Sequence, residues 1–124
     1  MEAGAGAADS IDDRFDRRSA LLRLKEFRRR IDRHFPPGLC RDRNLEMLLG
    51  LYEAHLARSS MTTRSLADLT DLDQGAALRR LNLLEQKGLI ERQLDLADRR
   101  RTTISLSERG RASVESFIDS YADD

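Results

Sequence analysis

Several chemistries are excluded by what this chain does not contain. Cys40 is its single cysteine, so no internal disulfide can form. His34 and His55 are the two histidines, isolated from each other and from Cys40. No zinc-type ligand cluster can be read, and no metal is expected. Cys40 has only Arg41 beside it to lower its pKa, so an oxidant-sensing role is not expected either. No apolar run has membrane length and none has the form of a signal-peptide core, which makes the cytoplasm the expected location and a membrane an unexpected partner. There is no glycine-rich phosphate loop, no nucleophile with a neighbouring base and no carboxylate pair with a cleft to hold it. An enzyme with catalytic residues or a cofactor is therefore not expected.

What is present is charge and periodicity. Aromatic residues make up 5% and charged residues 35% of the 124 positions, a balance that can accompany disorder. Here, however, apolar residues recur at helical spacing along most of the chain, as they do in one folded domain with room for a modest core. The formal net charge is zero, which by itself argues against a polyanion partner, but its distribution is uneven. Residues 1–13 hold four acids and no base, residues 14–33 nine bases and three acids, and residues 112–124 four acids and no base. Acidic ends thus flank a basic middle.

In chain order, residues 1–9 read as a flexible Gly/Ala-containing N-terminus. From Asp9 or Ser10 a long helix should run to about Arg33, lined on one side by Leu21, Leu24, Phe27 and Ile31 and ended by Pro36-Pro37-Gly38. Asp42 is the expected cap of a second helix, about Arg43 to Arg58, with an apolar stripe of Leu45, Leu48, Leu49, Tyr52 and Leu56. Thr62 or Thr63 opens a short helix with Leu66, Ala67 and Leu69 facing inward. After the turn Thr70-Asp71-Leu72, Asp73 caps a further helix in which Leu78, Leu81 and Leu84 mark the buried face and Gly88 the end. This pair has the proportions of a helix-turn-helix, residues 62–88.

Beyond Gly88, Leu89–Gln93 is too short for a helix, and Thr102–Leu106 alternates with β-branched residues. The two form a hairpin, residues 89–106, whose connection Leu94–Arg101 is too long for a tight turn and should project as a flexible loop. Its tip carries Arg99, Arg100 and Arg101, for which no interior role exists. A last helix starts at Ser107 and Glu108, with Val114, Phe117, Ile118 and Tyr121 on one face in need of a partner surface, the first helix of the same or a second chain. The fold class is thus mainly α with a small β-hairpin wing: residues 10–124 form a winged helix-turn-helix domain, with helices 10–34 and 107–122 set aside for dimerisation.

The exposed side of the Asp73 helix carries Gln74, Arg79 and Arg80, side chains able to reach base edges or phosphates. They could instead form surface ion pairs with Asp71 or Glu85, and the three wing arginines could be only a solvated loop. The Asp73-Gln74-Gly75-Ala76 start, Arg79, the LEQKGLI run to Ile90, and the wing Asp98-Arg99-Arg100 followed by Leu106-Ser107 resemble the MarR family of bacterial winged-helix regulators. The resemblance covers about Leu45 to Arg111. It implies a homodimer on double-stranded DNA, recognition helices in successive major grooves and wings in the adjoining minor grooves.

Under that resemblance Gln74, Gly75, Arg79 and Arg80 face the major groove, and Thr62, Thr63 and Arg64 hold phosphate at a helix N-terminus. Arg100 enters the minor groove, oriented by Asp98 and flanked by Arg99 and Arg101. The family commonly represses transcription and often releases DNA in response to a small-molecule effector or an oxidant. A second function class stays open: a winged-helix protein–protein interaction module with little or no DNA binding, suggested by the zero net charge and by apolar Leu83 on the recognition helix.

Overall fold

The computed structural model describes residues 11–41, 43–98 and 100–122. The expected caps Asp9, Ser10 and Asp42, the N-terminal residues 1–9 and the wing residue Arg99 lie outside the described residues. In order, the described chain forms α1 (Ile11–His34), α2 (Asn44–Ala57), β1 (Met61–Thr62), α3 (Thr63–Thr70), α4 (Gln74–Gln86), β2 (Ile90–Leu94), β3 (Thr102–Leu106) and α5 (Glu108–Ala122). The strands make one antiparallel sheet in the order β1-β3-β2.

Each helix boundary has a local cause. Thr62 caps α3 through a reciprocal arrangement: Ser65 N donates to Thr62 Oγ1 at 3.1 Å, and Thr62 N donates to Ser65 Oγ at 3.4 Å. Asp73 caps α4, accepting from Ala76 N at 2.7 Å. Gly88 adopts φ +77° as α4 closes, a conformation that costs glycine little. α5 begins where Gly110 N donates to Ser107 Oγ at 2.9 Å, while the same hydroxyl donates to Gly88 O at 2.6 Å. One side chain thereby ties the start of α5 to the end of α4.

The core is one cluster built from Ile31 of α1, Phe35 and Leu39 after it, Met47, Leu48 and Leu51 of α2, Leu66 and Ala67 of α3, Ala77, Leu81 and Leu84 of α4, Leu89 before the sheet, Ile90 and Ile104 within it, and Val114 and Phe117 of α5. Several expected inward residues point elsewhere. On α4, Leu81 and Leu84 are buried but Leu78 is exposed, and Ala77 takes the inner position. The reason is geometric: a strict three-residue spacing drifts around a helix of 3.6 residues per turn, whereas 77, 81 and 84 stay on one face. By the same drift Leu69 is exposed while Thr70 is fully buried, its hydroxyl donating to Leu66 O at 2.7 Å. On α2, Leu56 is exposed and Met47, Leu51 and Ala54 complete the buried face instead.

On α1, Ile31 is buried but Leu21, Leu24 and Phe27 are not. α5 packs on the C-terminal half of α1 through aromatic edges, with Phe117 at 5.6 Å from Phe35 and 6.1 Å from Phe27 between ring centroids. Arg30 lies 4.8 Å over the Tyr121 ring and donates to Ser120 O at 3.2 Å. The basic α1 is compensated along its own length, since Arg29, Arg30 and Arg33 converge on Glu26 at 3.3, 3.8 and 2.9 Å. Desolvation opposes ionisation of Glu26, but Arg33 and then Arg29 outweigh it and hold the carboxyl below its ordinary value.

Strand β1 is an addition to the expected two-stranded hairpin. Met61 pairs with Ile104 and Thr62 with Thr103, so the residues that open α3 are strapped to the inner strand of the wing. β2 and β3 pair from Ile90–Leu106 to Leu94–Thr102. The connection beyond them is braced: Asp95 N donates to Arg101 O at 2.9 Å, Arg101 N to Asp98 O at 2.9 Å, and Ala97 N to Asp95 Oδ1 at 2.9 Å. A loop expected to be slack is therefore closed by its own hydrogen bonds, two backbone carbonyls and an aspartate doing what glycine would do in a shorter turn.

Candidate nucleic-acid interface

Three separate segments meet at the open end of the domain. The N-terminus of α3, the N-terminus of α4 and the wing connection line one cleft of about 500 Å³, walled by Thr62, Thr63, Arg64, Gln74, Asp98, Arg100, Arg101 and Thr102. Seven of these eight are residues that the sequence singles out; Thr102, the first residue of β3, joins them. The approach follows from connectivity. β1 fixes the start of α3 beside β3, and the short turn Asp71–Asp73 swings the start of α4 to the same side.

Within the cleft the side chains do different things. The Thr62 hydroxyl is engaged in capping, leaving the first backbone N–H groups of α3 and the exposed Arg64 to face outward. Gln74 and Gly75 are exposed on the first turn of α4, where the positive end of a helix dipole favours an anion. A methyl group at Gly75 would meet no atom closer than 3.4 Å, so the glycine fills no cramped position and leaves the helix start open to close approach. Asp98 Oδ1 accepts from Arg100 N at 3.1 Å and from Arg100 Nε at 3.2 Å. The remaining guanidinium nitrogens of Arg100 stay outward on a side chain that is 92% exposed. An arginine held at its base and free at its tip is preorganised for an anion.

Arg79 and Arg80 are not part of this cleft. Arg79 is exposed one turn further along α4, and Arg80 is half-buried. Sequence reasoning overlooked a cluster behind the wing, where Arg92 of β2 meets Asn82 and Glu85 of α4. Its signal was available: Asn82 and Glu85 stand three residues apart on one helix face, two positions from where the chain reverses into β2. Cys40 is buried, and burial first, then the nearby Asp32 charge, pushes its thiol up to about 12. Among the described residues no group of histidine, cysteine and carboxylate side chains could hold a metal, and no helix is long and apolar enough to cross a membrane.

Comparison with known proteins bears on the same region. Residues 54–101 match the model of the MarR family. YwhA of Bacillus subtilis, an uncharacterized HTH-type transcriptional regulator, is 40% identical over 60 residues, which is 48% of this chain and 43% of YwhA. The matched part thus spans less than half of that relative. Among solved structures, a Staphylococcus aureus MepR mutant bound to an oligodeoxyribonucleotide superposes with a TM-score of 0.77 at 22% identity, over 93% of this chain and 79% of that one. MepR bound to ethidium bromide gives 0.65 at 25% identity, over 85% and 75%. Apo MarR from E. coli gives 0.58 at 23%, over 81% and 71%. The fold is shared across nearly the whole chain, and the match to the MarR family model falls on the helix-turn-helix and wing, residues 54–101.

Proposed function

We propose that this chain is a DNA-binding transcription regulator, acting as a two-fold homodimer that represses by occupying double-stranded DNA. α4 lies in the major groove, with Gln74, Gly75 and Arg79 toward base edges and Arg80 beside them. The wing enters the adjoining minor groove through Arg100, supported by Asp98 and flanked by Arg99 and Arg101, while Thr62, Thr63 and Arg64 hold the backbone between. The observation that carries this reading is the shared cleft, in which a helix start and an arginine anchored by Asp98 open to the same side. The oligodeoxyribonucleotide bound to MepR and the description of YwhA support it.

The dimer is supported by apolar side chains exposed on the two end helices among the described residues. Leu21, Leu22 and Leu24 on α1 and Ile118 on α5 are exposed, and a second copy presenting the same helices would cover them. A small-molecule effector has a place between α2, α3 and α5, a largely apolar groove of about 650 Å³ lined by Leu49, Leu69 and Ile118 together with Glu46 and Glu53. Those carboxylates favour a cationic ligand, in keeping with the ethidium bound to MepR.

Exposed Leu78 and Leu83 on α4 favour the second reading, a protein–protein module. Fluorescence anisotropy with random-sequence duplex DNA over a salt series separates the two. Phosphate contacts make log affinity fall linearly with log salt; absence of binding at low salt, or a flat response, selects the protein partner.

A further inference from the structure

The cluster behind the wing has a geometry that neither base reading nor core packing requires. Along β2 the side chains alternate, with Ile90, Arg92 and Leu94 on one face and Glu91 and Gln93 on the other. Ile90 is buried and secures the base of the hairpin. Two residues on, Arg92 leans over α4: its Nη2 donates to Asn82 Oδ1 at 2.6 Å, and its Nε stands 3.5 Å from Glu85 Oε1. The Arg92 side chain is only 21% exposed. The Glu85 contact is an ion pair rather than a hydrogen bond, because Nε finds no acceptor in bonding geometry. The Asn82 contact is short and charge-assisted, and so the stronger of the two.

We propose that Arg92 is a positioning residue for the DNA interface: its guanidinium clamps the outer wing strand to the exposed face of α4 and so fixes the angle between the two DNA-contacting surfaces. The proposal rests on the DNA-binding reading above for its purpose, but the clamp exists in the free protein. Beyond Ile90, β2 has no other side chain directed to α4 among the described hydrogen bonds and ion pairs. Without the clamp the hairpin hinges at its apolar base, and the Asp98–Arg100 unit at its far end sweeps the widest arc. Asn82 belongs to the same device. An asparagine on a recognition helix would ordinarily be credited with reading adenine, yet its carbonyl oxygen is already taken by Arg92.

The test compares wild type with Arg92→Ala, Arg92→Lys, Asn82→Ala, Asn82→Asp and the Arg92→Ala/Asn82→Ala double variant. Amide hydrogen exchange is measured on the free protein, and anisotropy with random-sequence duplex DNA over a salt series. Arg92→Ala is expected to speed exchange about tenfold at Leu94, Asp95, Arg101 and Thr102 while leaving Leu81 and Val114 unchanged. Its DNA affinity should fall by about tenfold at every salt concentration with the salt slope unaltered, since no phosphate contact is lost. Arg92→Lys, whose point charge cannot hold both acceptors, should recover only part of either effect. Asn82→Asp should retain the clamp, and the double variant should be no worse than Arg92→Ala.

Unchanged exchange at the wing overturns the clamp. Faster exchange spread evenly over the chain also overturns it, by showing a contribution to overall stability instead. A salt slope reduced by about one per protomer shows Arg92 itself on a phosphate and overturns the positioning role. A wild-type protein that ignores duplex DNA sinks the DNA reading alone, and the exchange pattern still decides whether the clamp holds the wing.

Discussion

Arg100 makes its proposed contribution from a position that the fold does not depend on. Its side chain is 92% exposed and its ion pair with Asp98 is local, so its removal should leave the folded state within about 0.5 kcal/mol of wild type. Arg100→Ala is therefore expected to keep its thermal midpoint, to bind duplex DNA more weakly, and to lose about one unit of salt slope per protomer. Calorimetry and a salt titration check the two halves separately. Cys40 gives the opposite kind of test. With the thiol pushed up to about 12 by burial and by Asp32, the folded state holds its proton more tightly than the unfolded chain. Its contribution is full below the ordinary thiol value of 9.0 and lost as pH rises toward 12. Native protein at pH 8 should resist iodoacetamide and unfolded protein should react. The residues of the cleft were legible one by one, because exposed arginines on a hairpin and a polar helix start have few other uses. The roles of Asn82 and Arg92 were not. Which acceptor a polar side chain finds depends on elements that are distant in sequence, as the 2.6 Å contact between Arg92 and Asn82 shows.

At the scale of elements, two junctions carry the geometry of the reading head. Asp73 holds the first turn of α4 through Ala76 N, and Asp73→Ala should cost about 1 kcal/mol, read by urea unfolding, with a parallel loss of DNA affinity as that turn frays. Gly110 is the tighter junction. A methyl group there would collide with the carbonyl oxygen and backbone of Leu89, atoms with nowhere to go. Gly110→Ala should destabilise by about 1–3 kcal/mol, whereas Gly50→Ala, which meets only the movable end of the Leu69 side chain, should cost less; paired denaturant curves decide the order. The order of helices and the hairpin followed from apolar spacing, caps and breakers. β1 did not, because Met61–Thr62 is too short to show alternation and becomes a strand only through its partners Ile104 and Thr103. The buried face of α4 was displaced by one residue for a related reason: small Ala77 carries little hydrophobic signal yet occupies the inner position, while bulky Leu78 carries the signal and sits outside.

For the whole molecule, the exposed apolar side chains of α1 and α5 test the proposed homodimer. Leu24, 67% exposed, contributes nothing to the core of its own chain, so Leu24→Glu should unfold nothing and yield a monomer by sedimentation. The monomer should bind duplex DNA far more weakly, having lost the second reading head. Net neutrality is then less of an obstacle than it looks. Glu26 neutralises arginines of α1, far along the chain from the cleft, while Arg64, Arg100 and Arg101 line the cleft with Asp98 as its acidic member.

The seam at Gly110 has one further implication. With α5 pressed against Leu89 and Ser107 clasping the Gly88 carbonyl, there is no slack joint between the long C-terminal helix and the wing behind it. A stimulus that tilts α5 must carry helix-turn-helix and hairpin along as one rigid block. In the proposed homodimer, regulation would change how far apart two such blocks stand, not the shape of either, and spin labels placed within one block should report a constant distance while labels on opposite blocks report two.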